Sequence, residues 1–289
     1  MKIILSRKGF DSASGGCPSP IFPDGSLMSL PIPDIQSRIT YSEIAGNHQV
    51  SMGDAVSQLA GIPPSHRAHL DPDLVPGSLP RRKGWRPIFG QIDAAEGHLR
   101  RQCVGAGDIF LYFGLFRPVE QITSGWRFIR GSKPLHVLFG WLQIADRVPV
   151  SGWPASQSWA LYHPHFSRDP QPSNVIYVST ERLVLPSGKT TAFAGAGTFP
   201  RFSEILRLTA PDSDRTSQWL LPDWFYPDGR NTCLSYHGDP SRWEKVDGGV
   251  LLSAVSRGQE FVLDCDRFPE AVGWLQRMLT STSRPLVLH

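Results

Sequence analysis

The chain has 289 residues, of which 40% are hydrophobic and 19% are charged, and its formal net charge is +3. This composition is typical of a soluble globular protein with a substantial core, and the small net charge excludes the global basic field of a histone-like binder. No apolar run reaches membrane-spanning length and no signal peptide precedes the first strand, so we expect a cytoplasmic protein.

The first predicted element is a short apolar strand from Lys2 to Ser6, which ends in a loop of charged, hydroxyl and glycine residues. Its cations could hold phosphate oxygens, and its paired glycines would let backbone N–H groups approach an anion. Asp11 would lie beside that anion as a candidate catalytic carboxylate, although an Asx turn would use the same residue. The loop residues expected to bind substrate are Arg7, Lys8, Ser12, Gly15 and Gly16.

Residues 62–80 are so rich in proline that we expect an ordered irregular connection or a flexible lid. His69 and Asp71 lie in this segment and could pair as a proton relay, which makes both candidate catalytic residues. Because prolines restrict the backbone here, Asp71 could equally form a turn.

A compact cationic segment follows directly, with Arg81, Arg82 and Lys83 next to Trp85. Such a cluster could neutralise DNA phosphates, and the indole could stack on bases or insert between them. A solvated loop whose tryptophan is anchored in the core would have the same pattern.

The middle of the chain is more regular. The pattern predicts a helix from Ala94 to Cys103, with Asp93 as its cap and Glu96 in the capping-box position. Two strongly apolar strands are predicted after it, from Asp108 to Gly114 and from Leu135 to Ile144.

The order helix, Gly-Asp turn, strand and strand between residues 90 and 150 resembles the PUA-like group that includes the EVE and ASCH domains. Members of that group form curved sheets that read modified bases, although an ordinary pair of core strands would give the same pattern. Three further side chains could contact DNA: Gln91, His237 and Trp243. The Gln91 amide could read a base edge and the Trp243 indole could stack on a flipped base, although a turn with a surface histidine would explain His237 equally well.

Later elements are strands from Asn174 to Ser179 and from Phe261 to Leu263, and a C-terminal helix from Pro269 to Leu279. Strands outnumber helices and are separated mostly by loops. The sequence therefore predicts an α+β fold with a bent, mixed or mostly antiparallel sheet and short helices. A PUA-like segment is what the resemblance of residues 90–150 would add. We expect a single domain over residues 1–289.

Metal-ligand motifs are weak in this sequence. The four cysteines are dispersed without a CxxC pair, and the pairs His163-x-His165 and His66-x-x-His69 match no strong metal signature. We therefore expect neither a metal nor a dissociable cofactor.

Four motifs together resemble the nucleotide-modification-associated domain 3 family: Ser6 to Ser12 (SRKGFDS), Gly15 to Gly25 (GGCPSPIFPDG), Ser29 to Pro33 (SLPIP) and His69 to Leu74 (HLDPDL). The stretch from Gly90 to Arg147 fits the same family. The family is associated with hypermodified DNA bases and is similar to phage-defence DNA glycosylases that remove glucosylated hydroxymethylcytosine. The resemblance implies an enzyme that flips such a base out of double-stranded DNA and leaves an abasic site, with no membrane and no obligate protein partner.

Two other functional classes fit the sequence. One is a non-catalytic reader of modified nucleotides, and the other is a metal-dependent nuclease or a base-modifying transferase. Walker, Rossmann and HExxH patterns are missing, which argues against an NTPase, a dinucleotide-dependent enzyme and a zinc protease.

Overall fold

The computed structural model describes residues 1–227, 233–255 and 260–282. Within these residues the strands are Lys2–Arg7 (β1), Ser19–Ile21 (β2), Ile88–Gln91 (β3), Ile109–Ile122 (β4), Gly125–Phe128 (β5), Leu135–Pro149 (β6), Val175–Ser179 (β7), Arg182–Val184 (β8), Thr190–Ala194 (β9), Ala196–Thr198 (β10), Gln218–Leu221 (β11), Trp243–Val246 (β12), Gly249–Ser253 (β13) and Glu260–Asp264 (β14). The α-helices are Met52–Ala60 (α1), Asp93–Arg101 (α2) and Glu270–Thr282 (α3).

The main sheet is mixed and mostly antiparallel. Its central order is β14-β1-β4-β6-β7-β3, with β2, β5 and β10 attached to β4 and β6. Strands β1 and β2 run parallel to β4, whereas the other pairings in the sheet are antiparallel. A three-stranded sheet, β11-β13-β12, and the pair β8-β9 complete the β structure of the described residues. The predicted α+β class is confirmed.

The main sheet curls so that its two edge strands approach each other. Gln91 of β3 donates from Nε2 to Oε1 of Glu260 of β14 at 2.6 Å, although β3 and β14 are the two opposite edge strands of the sheet. Phe89 packs edge-on against Phe110 and Tyr112 of β4, with ring centroids 4.9 and 5.3 Å apart. The curl thus encloses an aromatic interior, while the edges meet through side chains and do not close a barrel in the described part of the chain.

Local sequence explains where most elements form. The long strands β4 and β6 follow the two strongest apolar runs, and nearly all residues in their N-terminal halves are buried. Helix α1 begins at a serine cap, where Ser51 Oγ accepts from Asp54 N at 3.0 Å, and it ends at Gly61, whose φ of +67° suits glycine. Among the described residues, no helix has the length and apolar character of a membrane span.

One local prediction is wrong. Helix α2 forms, but Glu96 is not a capping-box residue, and the cap position belongs to Ile92. Glu96 is buried, pairs with Arg147 and accepts a hydrogen bond from the Tyr177 hydroxyl at 2.7 Å. A buried carboxylate needs charged or strongly hydrogen-bonding partners. The ion pair with Arg147 therefore stabilises Glu96 more than a capping hydrogen bond to the backbone at the helix start would.

Candidate active site

The carboxylate of Asp71 lies at the centre of the strongest polar cluster. The proline-rich segment runs beside β3, where Asp73 and Ile88 exchange two backbone hydrogen bonds of 3.0 and 3.1 Å. This pairing places Asp71 so that its Oδ1 accepts from Gly90 N at 2.9 Å and from His163 Nε2 at 3.2 Å. His163 Nδ1 accepts from the His165 N–H, which assigns the ring proton to Nε2. Asp71 Oδ1 therefore receives two donors.

Two further histidines face the other oxygen of this carboxylate. His69 Nε2 lies 3.6 Å from Asp71 Oδ2, and His165 Nε2 lies 3.5 Å from the same atom. The ligand atoms of the three residues lie within 4.8 Å of one another, a grouping that could hold a metal ion.

Each of these histidines is oriented by a partner on its other nitrogen. His69 Nδ1 lies 2.7 Å from Asp34 Oδ2, which also accepts from Arg168 at 3.0 Å. His165 Nδ1 lies 2.6 Å from Asn174 Oδ1, and Asn174 Nδ2 donates to the carbonyl of His165 at 2.9 Å. Both Nδ1 atoms must carry the proton, because each faces an acceptor oxygen.

Electrostatics keep the carboxylates of the cluster ionised. Burial opposes the charge on Asp71, but its interactions with His163, His165 and His69 hold its pKa well below the usual range. Burial also opposes ionisation of Asp34, yet hydrogen bonds lower its pKa to about 2. Burial disfavours protonation of His69, but bonds to Asp34 and Asp71 outweigh it and raise the pKa. Burial lowers the pKa of His163.

A second buried group lies at the seam between β3 and β14. Glu260 Oε1 accepts from Ser6 Oγ at 3.1 Å, from Lys8 Nζ at 3.0 Å and from Gln91. The ammonium of Lys8 also lies 4.7 Å from the ring centroid of Phe89. Burial raises the pKa of Glu260 despite these donors. Gln91, expected to read a base edge, is thus engaged inside the protein.

Tyr112 lies close enough to both Asp71 and Glu260 for their charges to affect its hydroxyl. Burial raises its pKa well above the ordinary value, and the charges of Asp71 and Glu260 raise it further. Within the described residues, neither its hydroxyl nor Glu260 Oε2 has a hydrogen-bond partner.

A cleft of about 1140 Å³ reaches this region. Gly9 and Asp71 both line it, so the loop after β1 and the proline-rich segment meet at one cavity. Its walls include Phe139, Trp141 and Phe199, and its polar lining includes Asn47, His48 and Arg201. An aromatic cavity with a few polar groups suits a planar, hydrogen-bonding ligand.

The loop after β1 folds on itself. Asp11 Oδ1 accepts from the N–H groups of Ala13 and Ser14 at 2.8 and 2.7 Å, and its Oδ2 lies 3.9 Å from Arg7. The N–H of Gly16 donates to the carbonyl of Asp11. Gly15 has a φ of +87° and packs so tightly on the Phe10 ring that a Cβ atom would overlap it. Arg7, Lys8, Asp11 and Ser12 line a separate pocket of about 240 Å³.

The cationic segment divides into two kinds of residue. Arg81 forms a bidentate pair with the buried Asp73, at 2.6 and 2.7 Å, and its guanidinium lies 3.9 Å from the ring centroid of Trp85. The indole donates to the Tyr162 hydroxyl at 2.7 Å. Arg82 and Lys83 are exposed. Arg81 and Trp85 thus anchor the segment, and its other two cations face solvent.

His237 and Trp243 lie together near the three-stranded sheet. His237 Nε2 accepts from Val255 N at 3.2 Å, and Nδ1 lies 2.8 Å from the carbonyl of Ser235. The Trp243 indole donates to the carbonyl of His237 at 2.8 Å. Both side chains are buried, and burial lowers the pKa of His237 to about 4.

Sequence reasoning singled out His69 and Asp71 but missed Asp34, Asn174 and Glu260. The pair His163-x-His165 was visible as a motif, but its spacing alone did not identify a site. The sequence does not show that this pair lies next to the HLDPDL segment, because only the fold brings the two segments together.

Comparison with known protein families gives a match over most of the chain. The model of the family described as nucleotide modification associated domain 3 matches residues 2–264. No curated protein matches the chain. No solved structure matches it either, so the PUA-like likeness of residues 90–150 stays an expectation.

Proposed function

Because the chain belongs to the nucleotide modification associated domain 3 family, we propose that it is a DNA glycosylase. Its substrate in this proposal is double-stranded phage DNA that contains a hypermodified cytosine, the glucosylated hydroxymethylated base. The products are the free base and an abasic site, and the biological role is antiviral defence. Family membership supports a context of nucleotide modification, and the reaction is our inference.

The observation that carries the proposal is the buried Asp71–histidine cluster, whose central residue Asp71 lines a cleft of about 1140 Å³. A base with an attached sugar needs more room than an unmodified base, and this cleft of about 1140 Å³ is larger than the usual range for ligand pockets, about 300–1000 Å³. Aromatic walls suit the faces of the base, while polar lining residues suit the hydroxyls of the sugar.

The chemistry requires one water molecule and a carboxylate. As the bond between C1′ and the base breaks, its electron pair leaves with the base and the sugar becomes oxocarbenium-like. Water oxygen forms the new bond to C1′ and gives one proton to the Asp71–histidine cluster, and the departing base gains one proton. Asp71 supplies negative charge beside the cation, and the surrounding histidines accept and release the proton.

DNA binding in this proposal uses the loop after β1 and the exposed cations. Arg7 approaches the phosphates, while Arg82 and Lys83 add contacts that carry no sequence information. Lys8, expected to bind phosphate, instead donates its ammonium to the buried Glu260. Asp11 is a second candidate carboxylate, since it lies beside Arg7 in its own small pocket. Extrusion of the base costs a few kcal/mol, which contacts in the cleft must offset.

The test is a single-turnover assay on two duplexes that differ in one base. One duplex carries a single glucosylated hydroxymethylcytosine and the other carries cytosine at that position. We expect alkali-labile sites and free modified base, identified by mass spectrometry, from the first duplex alone. Absence of base release from both would refute the proposal, and selective binding without release would favour the reader.

A second candidate is a metal-dependent nuclease, favoured by the grouping of His69, Asp71 and His165. Phosphodiester cleavage relies on divalent ions at the attacking and leaving oxygens. The same assay separates the two reactions, because a nuclease yields strand breaks before alkali treatment.

A further inference from the structure

We infer that His69, Asp71 and His165 form a binding site for one divalent first-row transition-metal ion, of the class that imidazole ligands prefer. The inference goes beyond the proposed reaction and does not depend on it. It rests on the distances within the cluster and on the hydrogen bonds that orient its two outer rings.

The protons are fixed by the neighbours of each ring. Asp34 can only accept, so His69 donates from Nδ1 across 2.7 Å, and the neutral form of the ring, which is the form that binds a metal, has its lone pair on Nε2. The amide of Asn174 is oriented by its own donation to the His165 carbonyl, so Oδ1 accepts from His165 Nδ1. The tautomer of His165 that this bond selects likewise has its lone pair on Nε2.

These two lone pairs face a third acceptor. Asp71 Oδ2 lies 3.6 Å from one nitrogen and 3.5 Å from the other, while the donors to this carboxylate, Gly90 and His163, bind Oδ1. Three acceptor atoms that converge in a buried place repel each other unless a cation lies between them. The distances are long for hydrogen bonds, but they are close to the edges of a tetrahedral site, about 3.3–3.4 Å for metal–ligand bonds of about 2.0–2.1 Å.

The surroundings are those of a metal site as well. Histidine ligands usually donate their second N–H to a carboxylate or an amide oxygen, which fixes the tautomer and the ring orientation. Asp34 and Asn174 do this for the two rings. One of the three ligands, Asp71, also lines the cleft, so the proposed site borders that cavity.

The ligand set also indicates the kind of ion. Two imidazole nitrogens and one carboxylate suit zinc, iron, cobalt or nickel, whereas magnesium prefers a full oxygen set. Sequence spacing predicted no metal because the ligands come from two separate segments, and neither segment carries a complete motif.

The experiment titrates chelator-treated protein with Zn²⁺, Co²⁺ and Mg²⁺ by calorimetry and records the visible absorption of the Co²⁺ form. We expect one Zn²⁺ or Co²⁺ per chain, Co²⁺ bands of a low-coordinate nitrogen–oxygen site, and no Mg²⁺ binding. His165→Gln should weaken Zn²⁺ binding more than about 100-fold, and Asp34→Asn, which keeps an acceptor for His69, about 10- to 100-fold. The matched control is His66→Gln, an exposed histidine of the same segment, which should bind as the parent does.

Absence of saturable Zn²⁺ binding would overturn the inference, since a proton would then occupy the space between the three groups. Unchanged binding in both Asp34→Asn and His165→Gln would overturn it too, because the ion would sit elsewhere. If His165→Gln does not fold by circular dichroism, Asp34→Asn and the Co²⁺ spectrum decide. Base release by protein that binds no metal would leave the glycosylase proposal intact, and metal binding without base release would refute that proposal alone.

Discussion

Gly90 lies directly against the ring of His165, so closely that a Cβ atom on residue 90 would approach the ring carbons to 2.3 Å. The same residue donates its N–H to Asp71. A position in β3 thus sets both the place of the histidine and the orientation of the carboxylate.

We predict that Gly90→Ala disrupts the site. The buried ring cannot move without repacking, so overpacking should lower the free energy of unfolding by about 1–3 kcal/mol and reduce activity strongly. Chemical denaturation and the abasic-site assay measure the two effects. The control is Gly105→Ala, where a Cβ atom meets nothing within 4 Å. Equal behaviour of the two variants would show that the close approach of Gly90 to the ring is unimportant.

Replacement of the central carboxylate should separate binding from chemistry. Asp71→Asn removes the negative charge beside the developing sugar cation, so we expect a barrier increase of several kcal/mol with DNA affinity nearly unchanged. Asp11→Asn, measured in parallel, should have the smaller effect, because Asp11 Oδ1 already accepts two N–H groups of its own loop. Near-normal single-turnover rates in Asp71→Asn together with loss in Asp11→Asn would reverse the assignment.

The cationic segment should give two different phenotypes. Neutralising Arg82 and Lys83 should weaken binding to all DNA sequences and flatten the salt dependence of log affinity by about 0.9 for each phosphate that the protein no longer neutralises. Arg81→Gln should instead destabilise the protein by about 3–5 kcal/mol, because it removes the cation that balances the buried charge of Asp73. An unchanged salt slope in the double variant would show that its two cations are simply solvated.

Stability should fall in acid through His237. Burial lowers its folded pKa to about 4, below the value of about 6.5 in the unfolded chain, so the unfolded state binds more protons between these values. The free energy of unfolding should therefore decrease as the pH falls from 6.5 to 4, by on the order of 3 kcal/mol from this residue. His237→Asn should show a flatter pH profile than the parent protein. Parallel profiles would contradict a neutral, buried His237.

Regular elements were predictable where one local signal dominates. Strands β1, β4, β6 and β7 and helix α3 follow apolar runs or periodicity that tertiary contacts reinforce. The role of Glu96 was not predictable from sequence. Its position near the start of a helix indicates a capping residue, whereas its ion pair with Arg147 is visible only in the fold. The same holds for His69, whose orienting carboxylate Asp34 lies 35 residues away.

The proline-rich segment also shields the sheet. Residues 71–73 cover the outer edge of β3, where Asp73 pairs with Ile88. An uncovered edge strand is a template for pairing with another chain. A deletion in this segment would therefore remove a carboxylate and also expose an edge strand that can self-associate. Loss of activity in such a deletion variant could then result from aggregation. A point substitution removes the carboxylate and leaves the edge covered.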